Sequence, residues 1–163
     1  MKNLKPILLT GCTASGKSKL AKSLAKLTPS MIINADALQV YKCWHIISAR
    51  PTQQDMDHYD HALYGHINCM HNYDVASWLN ELKVQLDYAR ERNLRPVIVG
   101  GTGLYFKALT DGLVNFPNIP LSFRKKIRHL HAEIGQKNFF LKLVKLDPQS
   151  KNLVNLSDTQ RAI

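Results

Sequence analysis

The feature that most constrains this chain is a glycine-rich segment near its start, Gly11-Cys12-Thr13-Ala14-Ser15-Gly16-Lys17-Ser18. It matches the pattern G-x-x-x-x-G-K-[ST], and it lies between an apolar run at residues 6–10 and a helical pattern at residues 18–27. In such a loop the backbone N–H groups converge on one anion, and the following helix N-terminus adds partial positive charge. We therefore predict that residues 11–18 bind phosphate, with Lys17 at the terminal phosphates and Ser18 as a ligand of Mg²⁺.

Apolar runs and helical patterns alternate along the rest of the first two thirds of the chain. They predict strands at residues 6–10, 31–35 and 97–99, and helices at residues 18–27, 75–89 and 104–109. Strands that alternate with helices form a parallel sheet with helices on both faces, so we predict an α/β fold. The glycine-rich segment, Asp36 and Thr102 all follow predicted strands, which places them at one edge of the sheet. Residues 37–73 match neither pattern and are predicted to be a long connection of the kind that often carries function.

The composition changes after Gly112. A Pro-rich joint at residues 116–120 is followed by two basic helical patterns, at residues 123–134 and 139–146, and Asp147-Pro148 ends the second. We predict two parts: a P-loop α/β core over residues 1–113 and a separate helical part over residues 114–163.

The charge of the chain favours an anionic partner. Its 163 residues include 22 Lys and Arg but 12 Asp and Glu, which gives a formal net charge of +10. Nucleic acid is the usual partner of such a protein, and a generally basic surface without a partner is the alternative.

The cysteines and histidines do not form a familiar metal-site pattern. Three cysteines, Cys12, Cys43 and Cys69, without C-x-x-C spacing argue against a disulfide framework and a zinc site and favour a reducing compartment. The histidines at positions 45, 58, 61, 66 and 71 are expected at the surface or in loops. We find no run of membrane-spanning length and no signal-peptide pattern, so we expect a cytoplasmic protein without membrane contact.

Asp36 is the acidic residue that follows a predicted strand. The strand at residues 97–99 ends in Gly100-Gly101, whereas ATPases and GTPases carry an aspartate for Mg²⁺ at such a position. A carboxylate that faces the phosphate site from Asp36 could accept a proton from an attacking nucleophile, as in small-molecule kinases. A role in capping a turn or a helix is the alternative.

Three ordered motifs resemble the tRNA dimethylallyltransferases. They are residues 11–18, Ile33-Asn34-Ala35-Asp36-Ala37-Leu38-Gln39-Val40-Tyr41 and Val99-Gly100-Gly101-Thr102-Gly103-Leu104-Tyr105. The order of His61-Ala62-Leu63-Tyr64-Gly65-His66, Asp147-Pro148 and Asp158-Thr159-Gln160-Arg161 also fits this family, so the resemblance covers essentially the whole chain. It implies transfer of a dimethylallyl group from dimethylallyl diphosphate to N6 of an anticodon-loop adenine in tRNA, with Mg²⁺ at Ser18.

The resemblance also implies roles for individual residues. Asp36 would accept the proton from N6, with Lys17 and Thr102 as further catalytic residues. The positions that match tRNA-contacting segments of the family are Asp36, Ala37, Leu38, Gln39, Thr102, Arg124, Gln160 and Arg161. The resemblance further implies that residues 114–163 are the beginning of a helical, RNA-binding insertion. We expect a monomer that binds the anticodon stem-loop.

The chain departs from the family pattern at several positions. Cys12 replaces a proline, Ala37 a serine, Ile47 a glycine and Ala62 a histidine, and Ile47 would be strained if that position required a positive φ. Family members are nearly twice as long, so we expect an incomplete fold, a fragment or truncated product, and weak or absent activity. Two other functions stay open: a small-molecule kinase that uses ATP, and a non-catalytic phosphate- or RNA-binding protein.

Overall fold

A computed structural model describes residues 4–113 and 119–162. The chain divides into two compact units, Met1–Val114 and Asn115–Ile163. Part of the predicted Pro-rich joint, residues 116–118, lies outside the described residues.

The first unit is built on a four-stranded parallel sheet. Its strands are β1 (Ile7–Thr10), β2 (Ser30–Asn34), β3 (Asp60–Ala62) and β4 (Arg95–Gly100), in the spatial order β1-β4-β2-β3. Thr10 is level with Gly100, and Asn34 is level with Val99. The carboxyl ends of β1, β4 and β2 therefore meet at one edge of the sheet, as the sequence predicts.

Four helices belong to this unit: α1 (Lys17–Leu27), α2 (Gln53–His58), α3 (Val75–Glu91) and α4 (Gly103–Asp111). α3 begins after Asp74, whose side chain caps the helix by accepting a hydrogen bond from the backbone N of Ser77 at 2.8 Å. α2 and β3 lie inside the segment predicted to be irregular, and that prediction was wrong at these two places. α2 begins with a capping box in which Thr52 and Asp55 bond each other's backbone N–H.

Apolar side chains pack on both faces of the sheet. On one face, Met31, Ile33 and Ile98 pack with α3 and α4, whose Trp78 and Tyr105 rings stack with centroids 4.4 Å apart. On the other face, the buried cluster is Ala21, Ile32, Tyr64, Val97 and Val99. Helices therefore cover both faces, which confirms the predicted fold class.

The second unit is helical. α5 (Leu121–Leu146) is interrupted at Gly135, where φ is 77° and ψ is 161°, so it consists of two helical stretches like those predicted. The short helices α6 (Ser150–Leu153) and α7 (Thr159–Ala162) follow. Gln136 of α5 bonds to α7 and to the segment before it: its Oε1 accepts from Thr159 Oγ1 at 2.9 Å and its Nε2 donates to the Leu156 carbonyl at 2.5 Å. Across the described residues, no helix has the length and apolar character needed to cross a membrane.

The structure corrects the prediction made from the cysteines. Cys43 and Cys69 form a disulfide, with Cα atoms 6.1 Å apart, while Cys12 is a free, exposed thiol. Tyr41 pairs with Ile67 in a parallel bridge, and the backbone N of Lys42 donates to the Ile67 carbonyl at 2.9 Å. This pairing brings together two cysteines 26 residues apart in sequence, a proximity that cysteine spacing alone does not reveal.

Candidate active site

A cavity of about 370 Å³ opens at the carboxyl edge of the sheet. Its lining combines the phosphate-binding loop with residues that follow β2 and β4, and with Ser48, Ala49 and Tyr64 from the long connection. The loop turns sharply: φ is 62° at Ala14 and 83° at Gly16, which is the N-cap of α1. The N-terminus of an 11-residue helix, with its partial positive charge, therefore lies at the cavity wall.

The Lys17 ammonium is folded over the loop. Its Nζ donates to the carbonyls of Gly11 at 2.8 Å and Cys12 at 2.5 Å, and it lies 3.4 Å from Ser15 Oγ. Lys17 also lines the cavity, so its charge is available next to a bound anion. A phosphate chain would compete with these two carbonyls for the ammonium.

Two oxygen-bearing side chains of the cavity could contribute to a cation site, the Ser18 hydroxyl and the Asp36 carboxylate. Within residues 4–113 and 119–162, no group of three or more His, Cys, Asp or Glu side chains is arranged to hold a metal ion. Hard divalent cations such as Mg²⁺ commonly take only one or two protein ligands and complete their shell with phosphate oxygens and water. The residues present therefore fit a cation that is shared with a bound phosphate chain.

Asn34 fixes the backbone around Asp36, and sequence reasoning missed it. Its side chain is completely buried, its Oδ1 accepts from the backbone N of Asp36 at 2.9 Å, and its Nδ2 donates to the carbonyls of Asp36 and Leu63, both at 3.0 Å. Trp78 Nε1 donates to the Asn34 carbonyl at 2.8 Å. An amide directly after the apolar run at residues 31–33 was the available signal, since a buried polar group requires partners.

The two oxygens of Asp36 have different surroundings. Oδ1 accepts from the backbone N of Leu38 at 2.9 Å, which is the capping role considered as the alternative. Oδ2 faces Gly101, lying 3.8 Å from the position that a Cβ of that glycine would occupy. Asp36 therefore caps its own turn with one oxygen and also lines the cavity with the phosphate loop.

Thr102 and Gly100 hold the same segment from the side of β4. Thr102 Oγ1 accepts from the backbone N of Ala37 at 2.9 Å, and its backbone N donates to the Ala35 carbonyl at 3.3 Å. Gly100 packs so closely that a Cβ there would lie 2.1 Å from the carbonyl carbon and oxygen of Ala35. The Thr102 hydroxyl thus positions the backbone after Asp36, while its predicted catalytic role stays a prediction.

The other predicted tRNA-contacting residues of the first unit differ in position. Gln39 lines the cavity, and its Nε2 donates to the Ser48 carbonyl at 2.8 Å. Leu38 is about half exposed, and Ala37 is partly buried. Ile47 is exposed and does not have a positive φ, so the strain considered for that position does not arise.

Arg124, Gln160 and Arg161 belong to the second unit, where all three are exposed. Arg161 Nε lies 3.5 Å from Asp158 Oδ2. Their tRNA contacts stay predictions.

Several histidines have partners within the protein. His66 Nε2 lies 2.7 Å from Glu81 Oε2, and the Tyr73 hydroxyl donates to the same oxygen at 2.8 Å. Burial, with the bond to Glu81, raises the pKa of the Tyr73 hydroxyl, so it remains a donor. His61 Nδ1 lies 2.7 Å from the Tyr59 carbonyl, and burial lowers the pKa of this imidazole.

Two family models match the chain, IPP transferase over residues 39–163 and isopentenyl transferase over residues 4–64. The chain belongs to the IPP transferase family. The resemblance predicted from three sequence motifs is thereby confirmed at the level of the family.

Similar proteins carry names that agree with this family. The chain is 44% identical over 162 residues to a tRNA dimethylallyltransferase of Pelagibacter ubique, covering 99% of the chain and 52% of the relative. It is 40% identical over 163 residues to one of Rhizobium rhizogenes, covering 100% of the chain and 55% of the relative. The chain thus spans about half the length of these curated relatives.

Solved structures show the same fold. A eukaryotic dimethylallyltransferase acting on tRNA superposes with a TM-score of 0.81 at 25% identity, over 98% of this chain and 40% of that chain. A tRNA isopentenylpyrophosphate transferase of Bacillus halodurans has a TM-score of 0.66 at 27% identity, over 97% and 52% of the two chains.

Proposed function

We infer that this chain carries the donor-binding loop and the proton acceptor of a tRNA prenyltransferase. The reaction would transfer a dimethylallyl group from dimethylallyl diphosphate to N6 of an unpaired adenine in the anticodon loop of a tRNA. The observation that supports this most is the single cavity lined by both Asp36 and the phosphate-binding loop. The names of the relatives and of the eukaryotic structure support a dimethylallyl group as the group transferred and tRNA as its acceptor.

In this proposal the loop binds the diphosphate of the donor. Lys17 and the backbone N–H groups at the start of α1 would stabilise the negative charge that grows on the pyrophosphate as it leaves. Ser18 would contribute its hydroxyl to a Mg²⁺ ion. When bound, that ion would neutralise part of the charge on the diphosphate oxygens.

Asp36 would accept the proton that N6 loses. The N6–C1 bond forms while the bond between C1 and the diphosphate oxygen breaks, the electron pair leaves with pyrophosphate, and the N6 proton passes to Asp36. Its Oδ2, which faces Gly101, is the oxygen available for this transfer, because Oδ1 already accepts from the Leu38 N–H. Removing the adenine from its stack costs little in an unpaired loop.

Residues in the cavity wall and beyond it would hold the tRNA. We assign this role to the segment 37–39 with Thr102 in the core over residues 1–113, and to Arg124, Gln160 and Arg161 in a helical insertion over residues 114–163. The net charge of +10 suits a polyanionic partner. We propose a monomer that acts in the cytoplasm, where its tRNA substrate is located.

Binding measurements test this proposal without requiring turnover. We expect the chain to bind dimethylallyl diphosphate in preference to ATP in calorimetry, and Lys17→Met to weaken donor binding at least tenfold. Asp36→Asn should retain donor binding and abolish any transfer of labelled dimethylallyl to an anticodon stem-loop. Tight ATP binding with phosphoryl transfer to a small molecule would favour the kinase alternative, and would contradict the proposal.

A further inference from the structure

A loop beside the cavity, residues 42–47, exposes large apolar side chains; we call it the rim loop. The chain leaves the cavity after Gln39 and returns to it at Ser48, and both residues line the cavity. The bond from Gln39 Nε2 to the Ser48 carbonyl, 2.8 Å long, closes the base of this excursion. The rim loop therefore lies within a segment that begins and ends at the candidate active site.

The exposure of this loop is unusual for its residue types. Ile46 and Ile47 are 90% and 89% exposed, and Trp44 is 44% exposed. Met70, next to the cysteine that is bonded to the loop, is 91% exposed. Clustered apolar side chains at a surface usually mark a binding site.

Trp44 is held in place although it is exposed. The preceding residue, Cys43, is bonded to Cys69, and the Ser48 hydroxyl donates to the Trp44 carbonyl. The Tyr41 ring lies against the indole, with centroids 5.5 Å apart and planes inclined by 59°. An aromatic residue that is held by its neighbours while 44% of it stays exposed is preorganised for stacking.

We propose that Trp44 is a stacking platform for an unpaired base that neighbours the target adenine in the RNA loop. This inference rests on the proposed function, which places the acceptor adenine at Asp36 inside the same cavity. A neighbouring base must then lie outside the cavity, where the rim loop lies. Unstacked bases bind aromatic side chains whatever their sequence, and the adjacent Lys42 matches the phosphate charge of such a partner.

The two tryptophans allow a direct test by fluorescence. Trp44 is 44% exposed while Trp78 is completely buried, so quenching by RNA reports on Trp44 and the Trp78 emission serves as an internal reference. The probe is a 17-nucleotide stem-loop with an unpaired adenine, titrated in non-reducing buffer because the disulfide holds the loop. We expect saturable quenching by this RNA.

Two substitutions separate stacking from general apolar contact. Trp44→Phe retains a flat ring and should bind the stem-loop within about threefold of the original affinity, but without quenching. Trp44→Leu retains apolar surface without a ring and should bind roughly tenfold more weakly, the loss expected for one base stack. The dependence of affinity on salt should be the same in both, because no phosphate contact is removed.

The outcomes distinguish this inference from the function on which it rests. If the Trp44→Leu variant bound the stem-loop as tightly as the original chain, the stacking role would be overturned, but tRNA would remain the proposed acceptor. That result would indicate that the rim loop binds a protein surface instead. Equal losses of stem-loop affinity in the Trp44→Phe and Trp44→Leu variants would also overturn the stacking role. Failure of the original chain to bind the stem-loop would overturn the proposed acceptor itself, and the stacking role with it.

Discussion

Replacing Gly100 by alanine tests whether the close contact between β4 and the Asp36 segment holds the site together. A Cβ at this position would lie 2.1 Å from the carbonyl carbon and oxygen of Ala35 and 2.8 Å from its Cα. Ordinary contacts of a Cβ begin near 3.4 Å, so the two backbones must separate by more than 1 Å. The atoms that this Cβ would meet are backbone atoms of Ala35, so no flexible side chain can move away to relieve the clash.

The size of the effect follows from this geometry. Overpacking a well-packed interior costs typically 1–3 kcal/mol, and a backbone-to-backbone clash belongs at about 3 kcal/mol. A loss of that size lowers the melting temperature by roughly 6–12 °C for a chain of this length. A displacement of about 1 Å at Asp36 would also weaken any prenyl transfer by about a hundredfold.

Gly103→Ala is the matched control in the same turn. A Cβ at Gly103 meets nothing within 4 Å, and the residue begins α4, where alanine favours the helix. Thermal unfolding, monitored by circular dichroism, should therefore show a much lower melting temperature for Gly100→Ala and an unchanged melting temperature for Gly103→Ala. Equal melting temperatures for the two variants would refute the packing argument.

Three further perturbations test other contacts. Cys69→Ser should destabilise the chain by about 3.5 kcal/mol in urea titrations, from the entropy of the loop that the bond to Cys43 closes, and prior reduction of the original protein should remove the difference. Asn34→Ala should cost about 3 kcal/mol, because it removes the side-chain partner of the buried Leu63 carbonyl and of the partly buried N–H and carbonyl of Asp36; an unchanged urea midpoint would contradict this. The hydrogen bond from Lys22, 2.8 Å long, lowers the pKa of Asp55. The stability it confers is present above the pKa of the unfolded carboxyl and lost as pH falls through the folded pKa, so Lys22→Met should raise the midpoint of acid unfolding.

The sequence predicts the phosphate loop and Asp36 because their signals are local. A glycine-lysine motif between an apolar run and a helical pattern needs no knowledge of distant contacts, and an acid that follows a buried strand lies at the sheet edge in any parallel fold. The sheet topology and strand register agree with the predicted position of both segments at one edge, while their binding and catalytic roles stay predictions.

The segment between β2 and α3 was predicted poorly for a physical reason. β3 has only three residues, and it is a strand because Asp60, His61 and Ala62 pair with β2. Three residues are too few to show the alternation of apolar and polar side chains that marks a strand. β3 is instead stabilised by pairing with β2, which is distant in sequence. The start of α2, by contrast, had a readable signal, since Thr52 and Asp55 have the spacing of a capping box.

The two halves of the site differ in how far they are organised without a ligand. Asp36 is fixed by separate constraints: the Asn34 side chain, the Thr102 hydroxyl through the Ala37 N–H, and the close packing of Gly100 on Ala35. Lys17 instead bonds to carbonyls of its own loop, which a bound diphosphate would have to replace. In the proposed reaction, Asp36 as proton acceptor would need no rearrangement, whereas donor binding would include the cost of moving Lys17. Substitutions that loosen the Asp36 segment should therefore reduce prenyl transfer more than donor affinity. Substitutions in the glycine-rich loop at residues 11–18 should reduce donor affinity more than prenyl transfer.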